Sequence, residues 1–403
     1  MIRLLTFSTL YPNSVSPSHG IFVETRLRHL LNSGEVESRV IAPVPWFPLR
    51  QAVFGEYARH AAVPGHEERN GLSVDHPRYL LLPKVGMNSA PYALARSGLK
   101  AARRMINSGY DFDIIDAHYF YPDGAAAVMI GKALGKPVVI TARGTDISLI
   151  PQYPKPRQMI LDAARDCAAM ITVCAALKDA IVGLGGTAGK ITVMRNGVDL
   201  ALFKPEDRQK ARGDFGMNST FAMASVGHLI ERKGHHLVIE ALPQIPDAEL
   251  YIAGAGEEES RLRALADRLN VAQRVHFLGA IAQSKLRTLY SAADCLVLAS
   301  SREGWANVLL EAMACGTPVV ASNVWGTPEV VATPEAGVLM DERSAVGIVR
   351  AVGRLRQSLP HRAAVRRYAE GFSWSATSEA QLALFRQIAG ANSRELSCAT
   401  HCS

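Results

Sequence analysis

Short apolar runs alternate with amphipathic stretches along most of the chain. The first set of runs covers residues 2–9, 37–44, 113–119, 137–143, 169–174 and 191–196, and the second covers residues 220–227, 248–254, 274–279, 293–300 and 317–322. The stretches between them, such as 258–270 and 284–293, have the apolar spacing of helices. Because buried strands that alternate with helices are typical of parallel sheets, the pattern predicts an α/β protein.

A segment rich in charge, Gly and Pro separates the two sets of runs and spans residues 196–216. Few core contacts could cross such a segment. We therefore predict two doubly wound, Rossmann-like domains over residues 1–198 and 199–370, followed by an amphipathic helix over about 371–392. Ligands bind beyond the carboxyl ends of the strands in such sheets, so the two domains are expected to face each other across a cleft.

One part of the first domain lacks the alternating pattern. Residues 45–90 contain several prolines and read as a long irregular excursion. A lid or binding loop and a plain surface insertion are both open interpretations of such a segment.

Composition narrows the classes of partner. The 403 residues carry a formal net charge of +7, which favours nucleic acid, an anionic lipid surface or phosphorylated small molecules, although a solvated basic surface stays open. The sequence has no motif of the common nucleic-acid-binding modules, so nucleic acid is not expected. No apolar run reaches the ~20 residues that cross a bilayer, and the first residues suit a buried strand better than a signal peptide. We expect a cytoplasmic protein, and peripheral binding to the inner membrane face stays open.

Two glutamates, Glu303 and Glu311, stand in an otherwise small or apolar stretch after the strand predicted over residues 293–300. Glu303 falls in the loop at the carboxyl end of that strand, and Glu311 falls about one turn inside a helix that begins near Asn307. A carboxylate accepts hydrogen bonds from two vicinal hydroxyls at once, so the pair suits a ligand with two diols. The alternative is that Glu303 caps the helix and Glu311 is an ordinary exposed residue.

The loops around these acids offer hydrogen-bond donors. The backbone amides of Trp305, Ala306 and Asn307 lie at the predicted helix start, where N–H groups can donate to hydroxyl or phosphate oxygens.

A second loop follows the first strand of the second domain. Gly227 allows a tight exit from that strand, and Arg232 and Lys233 come directly after it. Two cations could neutralise a diphosphate through charge-assisted hydrogen bonds of about 1.5–3 kcal/mol each. The alternative is a solvated basic turn.

With their neighbours, the two acids resemble the E-x7-E signature of the retaining glycosyltransferases of family 4, which have the GT-B fold. The signature reads EGWANVLLEAMACGTPVVAS here, and the segments ERKG, RNGVD and FLGAIAQSKLRTLYSAADCLVLAS precede it in the family's order and spacing. Together these segments cover most of residues 190–330.

The resemblance implies a role for each of these residues. Glu303 would contact hydroxyls of the donor sugar, and Glu311 would bind the ribose of the nucleotide. Arg232 and Lys233 would hold the diphosphate and stabilise the departing charge. The other members of the implied donor-binding set are Gly20, Gly227, Gly304, Trp305, Ala306 and Asn307.

The first domain, which would hold the acceptor, resembles the family more loosely. His118 ends a predicted strand and matches a family histidine that approaches the donor sugar, although a lone histidine is often structural. Arg143 and Asp146 end the next strand, where a ligand contact and a salt bridge that holds the loop are both open. The C-terminal helix of this family packs back onto the first domain.

The loop that contains Gly20 departs from the family pattern. Many members have a Gly-Gly turn there, near the diphosphate, whereas this sequence has His19 before Gly20. Histidine adopts a left-handed conformation less readily than glycine, which weakens the phosphate role of the loop and leaves an acceptor contact open.

The sequence therefore predicts a retaining glycosyltransferase that moves a hexosyl or N-acetylhexosaminyl group from a nucleotide-diphosphate sugar to a saccharide or lipid-linked hydroxyl in polysaccharide or glycolipid synthesis. A same-face reaction is favoured over double displacement. A nucleotide-sugar epimerase of the same fold and a non-catalytic nucleotide-sugar-binding protein are the alternatives. No cofactor is expected, because the nucleotide-sugar is a substrate. No metal is expected either, because the cleft offers no D-x-D-like acid pair and two cations already face the diphosphate. Cys398, His401 and Cys402 near the end of the sequence make only an incomplete ligand set.

Overall fold

The computed structural model describes residues 1–47, 51, 55–81 and 86–401, except for the side chains of residues 56, 57 and 392–401. The chain forms two compact units. Unit 1 contains Met1–Met194 and Ser375–Ser403, and unit 2 contains Arg195–Trp374. The sequence-based divisions after residues 198 and 370 each lie four residues from these bounds. The side chains of the group formed by Cys398, His401 and Cys402 lie outside the described part.

In unit 1, apolar runs of Val, Ile and Leu form parallel strands that are buried on both faces. The strands of unit 1 are β1 (Ile2–Phe7), β2 (Val36–Ile41), β3 (Val44–Pro45), β4 (His66–Arg69), β5 (Leu72–Asp75), β6 (Arg78–Tyr79), β7 (Ile114–His118), β8 (Val138–Ala142), β9 (Ala169–Thr172) and β10 (Ile191–Val193). Within the described residues, the main sheet has the order β10-β9-β8-β7-β1-β2-β5-β4, and β3 pairs separately with β6. The pair β4 and β5 is antiparallel, while the other pairs of the main sheet are parallel.

Helices connect these strands. The helices of unit 1 are α1 (Ile21–Leu31), α2 (Glu56–Ala62), α3 (Ala90–Asn107), α4 (Ala125–Leu134), α5 (Thr145–Ser148), α6 (Pro154–Asp166), α7 (Ala175–Gly183) and, after unit 2, α16 (Trp374–His401). The last helix supplies Leu382 and Phe385 to a core cluster that also contains Leu4 and Ile114 of the sheet. The C-terminal helix is therefore part of the core of unit 1.

The expectation that residues 45–90 are irregular is wrong for most of their described part. They contain α2 and the hairpin of β4 and β5, and β5 extends the main sheet through its pairing with β2. Alternating burial in β5 (Leu72 and Val74 buried) gives this edge strand one apolar face. Residues 48–50, 52–54 and 82–85 of the excursion lie outside the described part.

Unit 2 has the simpler sheet. Its strands are β11 (Phe221–Val226), β12 (Ala248–Ala253), β13 (Val275–Gly279), β14 (Cys295–Leu298), β15 (Val319–Ser322) and β16 (Gly337–Met340). Its helices are α8 (Arg208–Asp214), α9 (His235–Ala241), α10 (Glu259–Arg268), α11 (Gln283–Ala292), α12 (Asn307–Ala314), α13 (Thr327–Val330), α14 (Ala345–Gln357) and α15 (Arg362–Glu370). The order β13-β12-β11-β14-β15-β16 is parallel throughout. The sequence pattern missed β16, since its four residues form only a short apolar run.

Both sheets are doubly wound, as predicted. In such a sheet the strand order reverses at one point, and connections leave neighbouring strands in opposite directions there, which opens a crevice at the carboxyl ends. This point lies between β11 and β14 in unit 2 and between β1 and β7 in unit 1. Helices in the described part of the chain are all too short or too polar to cross a membrane.

Candidate active site

The crevice of unit 2 is lined by the loops that follow β11 and β14. These strands are hydrogen-bonded neighbours, with Met223 opposite Cys295. The first loop carries the predicted cations Arg232 and Lys233, and the second carries Glu303. The Ser301 N–H donates to the Arg232 carbonyl at 2.9 Å, which fixes one loop against the other.

An ion pair joins the two loops at this point. Lys233 Nζ donates to Glu303 Oε1 at 2.7 Å, and Arg232 Nη1 lies 3.8 Å from the same oxygen. Arg232 Nη1 also donates to the Arg302 carbonyl at 3.0 Å. Only 9% of the Glu303 side chain is exposed, and this burial opposes ionisation, but Lys233, Ser300 and Arg232 together outweigh it and lower the pKa of Glu303 below its usual value. Glu303 is therefore a carboxylate at neutral pH, so it can accept hydrogen bonds from hydroxyls.

Two glycines permit the close approach of these loops. At Gly227 (φ 150°) an added Cβ would lie 3.5 Å from Lys233 Cδ and Cε, so the lysine stem runs along the bare backbone. At Gly234 (φ 72°) an added Cβ would lie 2.1 Å from the Ala299 carbonyl oxygen at the end of β14. A side chain at Gly234 would therefore separate the loops and move Lys233 away from Glu303.

Glu311 lies in α12, four residues after the start of the helix at Asn307. The buried Tyr290 of α11 donates through Oη to Glu311 Oε2 at 3.1 Å. Burial raises the pKa of Glu311 to about 7, although the Tyr290 hydrogen bond acts in the opposite sense. Glu311 is thus a half-buried acid whose ionisation is made unfavourable by its surroundings. It is not the ordinary exposed helix residue of the alternative interpretation.

The residues between the two acids form the turn that begins α12. Trp305 and Ala306 are buried, while Gly304 and Asn307 are half-buried. The Asn307 N–H donates to the Trp305 carbonyl at 3.1 Å, so a ligand that accepts from this amide would share or replace that hydrogen bond. The Asn307 side chain accepts from Asn196 Nδ2 at 3.3 Å.

In unit 1, the predicted His118 ends β7 beside the end of β1, where Ser8 Oγ donates to its carbonyl at 3.0 Å. Arg143 Nη2 lies 2.7 Å from His118 Nδ1, and Asp116 Oδ2 lies 3.3 Å from Nε2. A guanidinium group can only donate, so Nδ1 accepts and the network assigns the ring proton to Nε2, facing Asp116. Burial, reinforced by Arg143 and opposed by Asp116, lowers the pKa of His118, so the imidazole is neutral.

Asp146 organises the loops around this histidine. Its carboxylate accepts the N–H groups of Phe120 at 2.7 Å, Gly144 at 2.6 Å and Arg143 at 3.1 Å. These bonds tie the end of β8 to the turn after β7. Of the two roles left open by the sequence, the loop-holding one is observed for Asp146, with backbone amides as its partners.

The remaining predicted residue, Gly20, caps α1 in the left-handed conformation (φ 64°). An added Cβ would lie 2.3 Å from the Leu10 carbonyl oxygen, so only glycine fits. The preceding His19 places Nε2 3.1 Å from the Thr9 carbonyl oxygen. Gly20, the one glycine left of the family's Gly-Gly turn, thus occupies the left-handed position.

Several buried polar residues near His118 escaped the sequence analysis. Asp123 accepts the Thr9 N–H at 2.8 Å, and burial raises the pKa of Asp123 to about 7. Gln381 of α16 donates through Nε2 to Asp116 at 3.2 Å. Asp116 could have been found, since residues i and i+2 of a strand share a face and it precedes His118 by two positions. Gln381 gave no such signal, because it follows His118 by more than half the chain.

Known proteins resemble this chain in both units. Residues 27–202 match the family model described as Glycosyltransferase Family 4, and residues 207–372 match the model described as Glycosyl transferases group 1. The two matches follow the two units in order and together cover most of the chain. The chain belongs to the glycosyltransferases of family 4. The predicted family and glycosyltransferase function are thereby confirmed.

Curated relatives of this glycosyltransferase match it over most of its length. It is 26% identical over 361 residues to a protein of Bacillus subtilis named as a teichuronic acid biosynthesis glycosyltransferase, a match that covers 88% of this chain and 89% of that protein. It is 29% identical over 309 residues to the D-inositol 3-phosphate glycosyltransferase of Mycobacteroides abscessus, covering 72% and 69% of the two chains.

Solved structures share the fold of this glycosyltransferase. The sucrose-phosphate synthase of Thermosynechococcus elongatus aligns with a TM-score of 0.77 at 19% identity, over 97% of this chain and 100% of that one. Anabaena HepE in complex with UDP-glucose aligns with a TM-score of 0.71 at 21% identity, over 98% and 100% of the chains. These likenesses confirm the predicted GT-B fold.

Proposed function

We propose that this glycosyltransferase is a retaining enzyme that transfers a hexosyl or N-acetylhexosaminyl group from a nucleoside-diphosphate sugar to a hydroxyl of a saccharide or lipid-linked acceptor. Surface polysaccharide or glycolipid synthesis in the cytoplasm is the proposed setting. A relative named for teichuronic acid biosynthesis and a structural neighbour in complex with UDP-glucose support this choice.

The observation that carries the proposal is the ion pair of Lys233 and Glu303, with 2.7 Å between Nζ and Oε1. It lies at the reversal of strand order between β11 and β14, where doubly wound sheets bind nucleotides. A donor there would present both a diphosphate and a sugar. The pair offers a cation for the first and a carboxylate for the second.

We assign the other roles on the same basis. Arg232 and Lys233 would hold the diphosphate, and Glu303 would accept hydroxyls of the transferred sugar. Glu311 would accept the ribose hydroxyls through Oε1, since Tyr290 donates to Oε2. The turn of Gly304, Trp305, Ala306 and Asn307 would lie against the donor between these two acids.

The proposed reaction takes place on one face of the sugar. The bond between the anomeric carbon and the leaving phosphate oxygen breaks, and the acceptor oxygen bonds to the same carbon. The acceptor's proton passes to the departing phosphate, so the nucleoside diphosphate leaves without any added base. Arg232 and Lys233 would stabilise the charge that develops on the phosphate, and such electrostatic stabilisation commonly contributes most to catalysis in sites of this kind.

His118 has a more constrained part in this proposal. Its Nδ1 accepts from Arg143 and its Nε2–H faces Asp116. For the imidazole to contact the donor sugar, one of these bonds must be exchanged when the donor binds. Being neutral, the ring would act as a hydrogen-bond partner and would add no charge.

A donor screen followed by one pair of variants tests the proposal. UDP- and GDP-sugars are first compared by thermal stabilisation and by hydrolysis, and the donor that responds is used for transfer. Lys233→Ala should then lower kcat by roughly 10²–10³-fold, as expected for the loss of one transition-state donor. Lys285→Ala, which removes an exposed lysine of α11, is the matched control. Turnover of Lys233→Ala within a few-fold of the wild type would refute the phosphate assignment, and NMR of the anomeric proton in the product would test retention.

A further inference from the structure

The loop that follows β1, residues 9–20, lies at the carboxyl edge of the sheet in unit 1. We call it the β1 loop. At its start, the Thr9 N–H and the Thr9 hydroxyl both donate to Asp123, at 2.8 and 2.9 Å. Ser8, directly before the loop, donates to the His118 carbonyl. The position of the β1 loop therefore shapes the surroundings of His118.

The hairpin of β4 and β5 holds the middle of this loop. Glu67 Oε2 accepts the Ser14 N–H at 3.1 Å. Arg69 Nη2 donates to the Pro17 carbonyl at 3.3 Å, and Arg69 is itself fixed, because its Nε donates to the buried Glu24 of α1 at 2.6 Å. The hairpin thus braces the β1 loop, a role that differs from both the lid and the plain insertion that the sequence left open.

Glu67 is in turn bound to a buried histidine. His76 Nε2 lies 2.9 Å from Glu67 Oε1, and His76 Nδ1 lies 2.9 Å from the Ala42 carbonyl oxygen. The His76 side chain is fully buried, and that of Glu67 is 14% exposed. A carbonyl and a carboxylate only accept, whereas a neutral imidazole has one N–H. The two hydrogen bonds together therefore require one proton more than a neutral histidine and an ionised glutamate carry.

Loss of this proton would break the hydrogen bond to Glu67. The N–H that remains on the neutral ring would stay with the buried Ala42 carbonyl, since an unpaired buried acceptor costs more than a carboxylate that can turn toward water. The lone pair of His76 Nε2 would then face the Glu67 carboxylate and repel it. As Glu67 turned away, its other oxygen would leave the position from which it accepts the Ser14 N–H.

Other titratable groups lie around Glu67 on the side of the β1 loop. They are Tyr11 of the loop, Glu24 and Arg28 of α1, and Arg69 of β4. Burial raises the pKa of Tyr11 above its usual value, so its hydroxyl stays neutral. Glu24 and Arg69 pair with each other, and Arg28 is exposed. Histidine is the side chain that ordinarily changes charge between about pH 5 and 8, so His76 is the proton carrier of this group.

A second histidine of the hairpin, His66, is exposed. Its ring lies 2.9 Å from Asp75 and 3.4 Å from Glu68. In the part of the chain that the structure describes, Glu67 is the one carboxylate within 4.0 Å of the His76 ring nitrogens. A test must therefore separate the titration of His66 from that of His76. Arg59 of α2 adds a further contact to the loop, because its Nη2 donates to Ser16 Oγ at 3.2 Å.

We propose that Glu67 and His76 are positioning residues of the candidate active site, which hold the β1 loop in place through a shared proton. As the pH rises and the proton leaves, the loop loosens, and substrate binding in the crevice of unit 1 weakens. The link to glycosyl transfer rests on the proposed function, whereas the position of the loop does not.

Glu67→Gln separates this proposal from a merely structural role. Beside a neutral His76, the new amide would donate to Nε2 through its NH2 group and accept the Ser14 N–H through its oxygen, so every hydrogen bond of the network forms without the extra proton. Beside a doubly protonated ring, the amide must turn its oxygen to the ring, and its NH2 group then meets the Ser14 N–H. The pH dependence of the variant should therefore be opposite in sign to that of the wild type.

Hydrogen exchange of the Ser14 amide, resolved by mass spectrometry of overlapping peptides, reports on the loop. The wild type and Glu67→Gln are compared with each other at the same pH, once at about pH 6 and once at about pH 8, so that intrinsic exchange rates and the titration of His66 cancel. The ratio of the wild-type rate to the variant rate should rise by at least about tenfold between these two values, as for one hydrogen bond to a charged group.

Glu68→Gln is the matched control, since it removes the same charge from the next residue of β4. It should exchange like the wild type at both pH values. A ratio between the wild type and Glu67→Gln that is equal at both pH values would overturn the shared proton, as would a Glu68→Gln protein that behaves like Glu67→Gln.

The kcat/KM of transfer, measured over the same range, tests the link to the site. The value for Glu67→Gln relative to the wild type should rise with pH in parallel with the exchange ratio, through KM and with kcat little changed, while Glu68→Gln follows the wild type. The expected exchange result beside a constant relative kcat/KM would overturn the positioning role. If the wild type transferred sugar from none of the donors, the proposed function would fail, while the exchange result would still decide whether the proton holds the loop.

Discussion

Arg26 donates through Nε to Gln381 Oε1 at 2.8 Å, although 355 positions separate the two residues. Both side chains are buried, and the amide of Gln381 donates in turn to Asp116 Oδ2 at 3.2 Å. The same carboxylate oxygen lies 3.3 Å from His118 Nε2. A side chain of α16 thus holds the carboxylate that orients the histidine.

Replacing Gln381 tests this arrangement. Gln381→Ala leaves the buried Arg26 without this acceptor, so the free energy of unfolding should fall by about 1–3 kcal/mol. Urea unfolding measures the change. Gln387→Ala, at an exposed position of the same helix, should shift the free energy by less than about 0.5 kcal/mol. Equal effects of the two variants would show that the buried network adds nothing to stability.

The two acids of unit 2 should respond differently to substitution. If Glu311 binds the ribose, Glu311→Gln should weaken the binding of every nucleotide, including the bare nucleoside diphosphate. If Glu303 binds the sugar, Glu303→Gln should collapse turnover, because the state with the sugar loses its hydroxyl acceptor. The bare diphosphate should bind at least as tightly as before, because the neutral side chain no longer competes for Lys233. Calorimetric titration beside a transfer assay decides, with the exposed Glu335→Gln as control. The division of roles fails if Glu303→Gln weakens the diphosphate as much as Glu311→Gln does.

The raised pKa of Glu311 predicts that the stability of the protein depends on pH. Its pKa of about 7 in the folded protein lies above the ordinary value of 4.5, so the folded state binds this proton more tightly than the unfolded state. The associated stability is fully present below pH 4.5 and is lost as the pH rises toward about 7. Glutamine cannot ionise, so the free energy of unfolding of Glu311→Gln should rise relative to that of the wild type as the pH increases over this range. At pH 8 this relative increase should be on the order of 1 kcal/mol or more. Unfolding of the wild type and of Glu311→Gln, measured at the low-pH end and the high-pH end of this range, gives the difference between their free energies of unfolding. Because Asp123 titrates in both proteins, only their difference reports on Glu311, and a pH-independent difference would contradict the assignment.

Metal dependence is the fourth expectation. Arg232 and Lys233 already lie where the diphosphate is proposed to bind, so they should neutralise the departing charge without a divalent ion. Transfer activity should therefore be unchanged in excess EDTA. Activity that disappears in EDTA and returns with Mg²⁺ or Mn²⁺ would show this expectation to be wrong.

The sequence was most informative where a signal is local. The apolar runs predicted the strands around both crevices because buried parallel strands are apolar along their whole length. The neighbourhood of Arg232, Lys233 and Glu303 followed as well, since the ends of neighbouring parallel strands share one edge of a sheet.

Partners brought together over long distances were not predictable. Tyr290 contacts Glu311 because α11 and α12 pack together, and no regular spacing in the sequence predicts that contact. A helix start usually offers free N–H groups, and no signal in the sequence indicated that the Asn307 amide also donates to the Trp305 carbonyl. The hairpin of β4 and β5 was missed because its first strand, HEER, is polar at every position.

The division of unit 1 into two chain segments has a consequence for biosynthesis. Its core cluster contains Leu4 and Ile114 from the first segment and Leu382 and Phe385 from the last. Between residue 194 and residue 385, the ribosome adds 191 further residues (385 − 194), among them the whole of unit 2. At about 5–20 residues per second, this takes roughly 10–40 s, during which the apolar surface that α16 will cover is exposed. Unit 2 can complete its fold while the rest of the chain is still being synthesised. The part of the protein that is synthesised first is completed last.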